Sequence, residues 1–253
     1  MSKVYIGVGH GGNDYGACAN GLKESEVALD IALECHEILR QHGVDVKISR
    51  TTQGSDYATD LNTKIQDCNA FDPALAVDIH INAGGGEGFE AFHYHKGGAS
   101  FMLAKNIEAE VKKIGQISRG LKTKLNSNGQ DFFGWIRLVN APSVILEAAF
   151  IDNINDVSKI CTKKGRSGFA VSFAKGILNT LGITYNQNGS EGQENAVNTI
   201  YKKYEDISDY AKPTIKKLMD KGALQGDKDG NLNLSEEMVR TLVIVDRAYG
   251  DKK

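Results

Sequence analysis

Two short apolar runs, each breaking off at a histidine beside glycines, constrain this chain more than any other feature. The first is Val4-Tyr5-Ile6-Gly7-Val8-Gly9-His10, followed by Gly11-Gly12-Asn13-Asp14-Tyr15-Gly16-Ala17. The second is Pro73-Ala74-Leu75-Ala76-Val77-Asp78-Ile79-His80-Ile81-Asn82-Ala83, followed by Gly84-Gly85-Gly86. Short runs rich in β-branched residues predict buried strands. Glycine just beyond lets the chain turn at once and lets another group approach the backbone. Such a chain must build a sheet whose strand ends present histidines. A glycine-rich loop after a first strand also suggests a phosphate cradle. The dinucleotide pattern fails because no helix opens immediately, and the P-loop pattern fails because no Lys-Ser/Thr follows.

Helical and extended patterns alternate around these runs. Val27, Ala28, Ile31, Ala32, Cys35, Ile38 and Leu39 recur at helical spacing, with Ser25 as a candidate cap and His42-Gly43 as the stop. Residues 44–50 alternate as a second strand. A polar loop over 51–60 precedes a modest helix over 61–69. Residues 89–95 predict a strand, 99–114 a helix, 143–150 a buried strand and 168–181 a final helix. Strands alternating with helices argue an α/β domain, a mixed, mostly parallel sheet flanked by helices. In such sheets ligands bind beyond the carboxyl ends of the strands. His10, His80 and Glu147 all lie at or near those ends.

Composition changes after Tyr185. Residues 186–197 are polar and contain glycine, which predicts a linker between a main domain over 1–185 and a small module over 198–253. The module carries helical patterns over 210–221 and 235–249, so an all-α unit is expected. Asp227-Lys228-Asp229-Gly230-Asn231 lies between them. Its glycine comes too early for an EF-hand and the closing position falls on Met238, so a turn is expected rather than a calcium site.

The formal net charge is −2, which gives no support for nucleic acid as a main partner. Cys18, Cys35, Cys68 and Cys161 form no C-x-x-C pair, so they read as reduced thiols rather than a zinc knuckle or disulfide scaffold. No apolar stretch approaches the roughly 20 residues of a membrane span. The run after Met1-Ser2-Lys3 ends at His10, short of a signal-peptide core. The expectation is a chain made in the cytoplasm, which reaches any external target only when something else releases it.

The chemistry concentrates in His10, Glu24 and His80. Two imidazoles and a carboxylate form a common ligand set for catalytic zinc, with a fourth position left for water. Taken singly, a strand-end histidine is usually a polar cap and Glu24 a first-turn helix carboxylate. Two strand-end histidines, each beside a glycine cluster, weigh against that explanation. Glu147 is the second unusual residue, a carboxylate inside Ser143-Val144-Ile145-Leu146-Glu147-Ala148-Ala149-Phe150. Burying it requires a partner or a raised pKa. It reads as a general base beside a metal, or as a buried glutamate satisfied by loop amides. His93 and His95 alternate on one strand face with nothing converging on them. Ser49-Arg50 and Arg137 are candidates for exposed charges that read an anionic substrate, with plain surface groups the favoured reading.

The segments carrying these residues resemble the zinc-dependent N-acetylmuramoyl-L-alanine amidases of the amidase-3 group. They are 9–17, then Asn20-Gly21-Leu22-Lys23-Glu24, then 78–83, and finally Pro142 through Asn153, in family order across nearly all of 1–183. The resemblance implies that His10, Glu24 and His80 bind Zn2+ and that Glu147 is the catalytic glutamate. It also selects Glu24 over Glu26. It implies hydrolysis of the amide joining N-acetylmuramic acid to L-alanine in peptidoglycan, with a phage endolysin released through a holin favoured over an amidase freed when a sporulating cell lyses. Two departures bear on substrate detail: Lys64 stands where family members often carry Arg, and residues 133–138 fit only loosely. The C-terminal module resembles a single S-layer-homology repeat, which implies a secondary cell-wall polymer as its ligand. The competing expectations are a catalytically inactive wall-binding protein and a zinc peptidase cutting the stem peptide.

Overall fold

The computed structural model describes residues 1–54, 60–186, 200–207 and 211–235, together with 238, 239, 242, 243 and 246. The chain divides into two compact units, Met1–Asn186 and Gln187–Lys253. The expected linker lies, from 187 onward, outside the described residues.

The first unit is a six-stranded sheet with helices on both faces. It begins with β1 (Lys3–Val8), a small hairpin of β2 (Cys18–Ala19) and β3 (Leu22–Lys23), and α1 (Glu24–Gln41). It continues through β4 (Asp45–Ile48), α2 (Leu61–Phe71), β5 (Leu75–Asn82), β6 (Phe89–His93) and α3 (Ala99–Lys113). Then come β7 (Ser118–Lys122), α4 (Gly134–Leu138), β8 (Ser143–Phe150), α5 (Ile154–Ile160) and α6 (Lys163–Leu181). The strand order is β4-β1-β5-β8-β6-β7. All pairs are parallel except β6 with β8. This is the mixed, mostly parallel sheet the patterns predict.

Period-2 alternation sorts the side chains between two cores. Val4, Ile6, Val8, Leu75, Val77, Ile79, Ile81, Val144 and Leu146 join the apolar stripes of α1, α3 and α6 in the larger core. Tyr5, Ala76 and Ile145 point the other way, against Ile65 and Cys68 of α2 and Trp135 and Ile136 of α4. Further along β5 and β8, that second face turns polar: Asp78, His80 and Asn82 follow Ala76, and Glu147 follows Ile145. Among the described residues, no helix is long and apolar enough to cross a membrane.

Several local expectations change. Ser25 does not cap α1: the Glu24 and Ser25 amides donate to the carbonyls of Ala17 (2.9 Å) and Tyr15 (3.1 Å). The α6 helix begins at Lys163 because the Thr162 hydroxyl caps it, accepting from the Gly165 amide at 3.1 Å. The short elements β2, β3, β7, α4 and α5 carry too few residues to show a period. All four cysteines are free, Cys35 and Cys68 buried and Cys18 and Cys161 exposed.

The second unit holds α7 (Lys212–Asp220), opened by Pro213, a 3-10 turn at Tyr204–Asp206, and an antiparallel pair of β9 (Ile200–Tyr201) and β10 (Leu234–Ser235). Its small core joins Tyr201, Ile207, Ala211, Ile215, Leu234, Val239 and Val243. Most of the helix expected over 235–249 lies outside the described residues, and the described positions 238, 239, 242, 243 and 246 are helical. Asp227 closes the expected turn: its Oδ1 accepts from the amides of Asp229 and Asn231, and its Oδ2 from the side chains of Asn231 and Asn233.

Candidate metal centre

β1 and β5 run side by side with Val8 opposite Ile79. Their ends therefore deliver His10 and His80 to one place, with ring centroids 5.3 Å apart and planes at 81°. Glu24 arrives as the first residue of α1, swung in by the hairpin before it. Its Oε1 lies 2.9 Å from His80 Nδ1 and its Oε2 lies 3.2 Å from His10 Nε2. One ligand atom from each of the three residues lies within 4.8 Å of the others. Glu26 is exposed and pairs with Lys23 at 2.9 Å.

The outward ring nitrogens explain what this cluster needs. Asp14 Oδ2 lies 2.7 Å from His10 Nδ1, and Asp78 Oδ2 lies 3.3 Å from His80 Nε2. A carboxylate only accepts, so in a neutral ring held this way the outward nitrogen carries the proton and the inward nitrogen presents a lone pair. Two lone pairs then face the Glu24 carboxylate, an arrangement that repels itself unless positive charge lies between. The same demand shows in the titration. Burial pushes the Glu24 carboxyl up, but hydrogen bonds from His10 and His80 outweigh it and hold the group well below the usual carboxylate range. Burial pushes His80 down, yet the charge and hydrogen bond of Asp78 and the hydrogen bond to Glu24 raise it to about 10. His10 is raised by its hydrogen bond to Glu24, against the opposing effect of burial. Both protons and a dication satisfy such a site. The His–carboxylate outer contacts are those that fix imidazoles for a metal.

The glycines around the site make room for the protein's own ligands. A Cβ on Gly7 would stand 2.5 Å from Asp78 Oδ1, one on Gly9 would stand 2.5 Å from His80 Nδ1, and one on Gly16 would stand 2.6 Å from Glu24 Oε2. His10 itself is left-handed, at φ 55°, a conformation costing about 1–2 kcal/mol in a non-glycine residue. Two hydrogen bonds to Glu24 hold the third ligand in place, from the Ala17 amide (3.0 Å) and the Ile81 amide (3.1 Å).

Glu147 stands beside this cluster, opposite His80 in the β5–β8 register and opposite Glu90 in the β6–β8 register. Cross-strand partners share a face, so His80, Glu147 and Glu90 form one row. Glu147 is half-buried, and its Oε2 is inaccessible and has no hydrogen-bond partner. Burial pushes its carboxyl up to about 7. The charge of His80 opposes the shift, and those of Glu24, Glu90 and Asp78 add to it. A carboxyl poised near neutrality with an idle oxygen suits proton transfer. The alternative in which loop amides satisfy it is not what the structure shows.

Four supporting residues were not anticipated. Asp14 and Asp78 orient the histidines. Lys64, nearly inaccessible, puts its ammonium 2.7 Å from both Asp78 oxygens and under the Trp135 ring at 5.4 Å. Arg50 overturns the expectation of an exposed charge. It is 1% exposed and donates to the carbonyls of Gly9 (2.9 Å), Ser25 (2.8 Å) and Thr52 (2.9 Å). It thereby ties the backbone before His10 to that after Glu24. Ser49 is likewise buried, its hydroxyl accepting from the Val8 amide at 3.0 Å. Asp78 was open to discovery from the sequence, as a charge two residues before His80 on the same strand face; Arg50 left no such signal. Arg137 is exposed and donates to the carbonyls of Asp131 and Phe132. His95 pairs with Asp131 at 2.8 Å and His93 is buried, and neither joins the cluster.

Comparison with known proteins points the same way. The family profile for N-acetylmuramoyl-L-alanine amidase matches residues 4–179. The sporulation-specific N-acetylmuramoyl-L-alanine amidase of Bacillus subtilis is 36% identical over 190 residues, 74% of this chain and 69% of that protein. The endolysin of Bacillus phage SPP1 is 34% identical over 200 residues, 75% of this chain and 70% of that one. Among solved structures, Cwp6 from Clostridium difficile superposes with a TM-score of 0.68 at 32% identity, covering 71% of this chain and 29% of the other.

Proposed function

The chain belongs to the N-acetylmuramoyl-L-alanine amidase family, and from that premise we propose how it cuts the amide between N-acetylmuramic acid and L-alanine in peptidoglycan. His10 Nε2, His80 Nδ1 and a Glu24 oxygen would hold a zinc ion, with Glu147 as the general base. The observation that carries this reading is the convergence of His10, Glu24 and His80, one ligand atom of each within 4.8 Å of the others, in register with a carboxylate whose buried oxygen is idle.

When bound, zinc supplies Lewis acidity, bringing the pKa of water from 15.7 in bulk toward about 7 and polarising an amide carbonyl. The protein's own residues do the rest. Asp14 and Asp78 keep the histidines in the ligating tautomer. Lys64 balances the Asp78 charge. Glu147 takes the proton of the attacking water through its idle oxygen and returns it to the departing alanine amine. Bound zinc opposes the upward shift of Glu147, since a nearby positive charge favours carboxylate.

Two measurements test this reading. Stripping the metal with a chelator should abolish cell-wall hydrolysis, with zinc restoring it. A Glu147→Gln protein should bind one zinc yet leave the wall intact. Glu147→Gln that digests walls at the normal rate refutes the assignment. Product analysis separates the activity from stem-peptide cleavage: new N-terminal alanine with intact glycan strands is expected.

We place the chain as a lytic enzyme of the endolysin type, supported by its likeness to the SPP1 protein; expression with a holin should lyse cells, and intact cells would refute it. For the second unit we propose binding of an anionic wall polymer. Its support is a shallow pocket lined by Tyr204, Lys212, Pro213, Lys216, Lys217, Asp220 and Lys221, in which four lysines face one carboxylate.

A further inference from the structure

The row His80, Glu147, Glu90 does not stop at the catalytic carboxylate. Glu90 is 4% exposed and holds two cations from the neighbouring strand. Its Oε1 accepts from both Arg119 Nε and Lys122 Nζ, and its Oε2 accepts from the Asn82 side-chain Nδ2 at 3.2 Å. Two cations on one carboxylate leave a surplus positive charge beside the site. Arg119 spends only Nε on Glu90, and its two Nη groups have no hydrogen-bond partner among the described residues. The guanidinium carbon lies over the Phe150 ring, 5.3 Å from its centroid. Phe150 is pressed from elsewhere by Gly86, where a Cβ would stand 2.3 Å from the ring. Arg119 and Lys122 keep 43% and 33% of their side-chain surface exposed. The result is a fork of donors anchored by a buried carboxylate and partly exposed.

We infer that Arg119 and Lys122 form the specificity site for a carboxylate on the peptide side of the substrate, that of the residue following the released alanine. The inference rests on the amidase reading above. In peptidoglycan that second residue is a glutamate joined through its side chain, so its α-carboxyl is left as a free carboxylate or a carboxamide. The spacing fits. Strands lie about 4.8 Å apart, so β6 and β7 stand about 5 and 10 Å from β8, which carries Glu147. Two residues of extended peptide span about 7 Å. A guanidinium fork grips a carboxylate with two parallel hydrogen bonds and a carboxamide with fewer.

Paired soluble muramoyl-peptides, differing only in carboxylate or carboxamide at that residue, test the inference on the full-length zinc protein. The measured quantity is the ratio of the two kcat/KM values, which is insensitive to a general loss of folded protein. Wild type should favour the carboxylate. Arg119→Gln should reduce that ratio about tenfold or more, Arg119→Lys should retain part of it, and Arg119→Gln with Lys122→Gln should erase it. The loss should fall on KM for the carboxylate substrate. An unchanged ratio in the double variant, with kcat/KM falling equally on both substrates, overturns the inference and leaves the pair as a structural tie for Glu90. Wild-type protein that binds zinc and cleaves neither peptide refutes the amidase reading itself.

Discussion

Replacing Lys64 with methionine removes one partner of the most enclosed ion pair in the first unit. Lys64 and Asp78 are 4% and 2% exposed, and the ammonium sits 2.7 Å from both carboxylate oxygens. Without it, Asp78 keeps, among the described residues, only the 3.3 Å contact to His80 Nε2. Stranding a buried charge in this way costs about 3–5 kcal/mol. At about 2–4 °C per kcal/mol for a unit of this size, the midpoint should fall by about 6–20 °C. The assay is built in. Trp135 is the chain's single tryptophan, 1% exposed and packed over Lys64, so its fluorescence in urea follows the first unit alone. Lys64→Arg should retain most of the stability. Lys64→Met with Asp78→Asn should recover over half of the loss, because no charge is then stranded. The sign with pH follows from Asp78. Burial pushes its carboxyl up, but Lys64 and His80 outweigh burial and hold it below the usual range. The pair's contribution is therefore present above about pH 4, the ordinary carboxylate value, and lost as pH falls through the lowered value. The gap between wild type and Lys64→Met should close on acidification. A Lys64→Met protein within about 1 kcal/mol of wild type at pH 7 would refute the reasoning, since that is the range of an exposed pair.

Three further outcomes are expected. Asp14 has 68% of its side chain exposed, so Asp14→Ala should leave the urea midpoint nearly unchanged while weakening zinc about 10–100-fold in a chelator competition; equal zinc affinity would show that Asp14 does not orient His10. Gly16→Ala combines a positive φ of 65° with contacts of 2.6 Å to Glu24 and His10, so zinc content should fall while Trp135 fluorescence stays native. Glu147 is raised from 4.5 to about 7, so ionising it in the metal-free fold costs at most about 3 kcal/mol above pH 7 and nothing below the unfolded value. Metal-free Glu147→Gln should therefore outlast wild type in urea at pH 8, match it near pH 4, and lose its advantage when zinc is added.

The sequence by itself determined the sheet, its main helices and the two candidate histidine ligands, because those depend on local signals. Period-2 and helical spacing sort residues into strands and helices, and a glycine after a strand-end histidine marks a chain that must stop and turn. The resemblance then distinguished Glu24 from Glu26, where spacing could not. Only the tertiary structure decided what surrounds the ligands. Arg50 looks like any strand-end cation until three carbonyls from separate segments close on it. Lys64 looks like a departure from a family pattern until Asp78 comes beneath it. Glycine beside a strand-end histidine reads in the sequence as room for another group to approach; in the fold the room at Gly7 and Gly9 is filled by Asp78 and His80 of the adjacent strand. Glu90 meets Arg119 and Lys122 only because β6 pairs with the edge strand β7. Each depends on which strands are neighbours and in what register, and register is set by packing across the sheet.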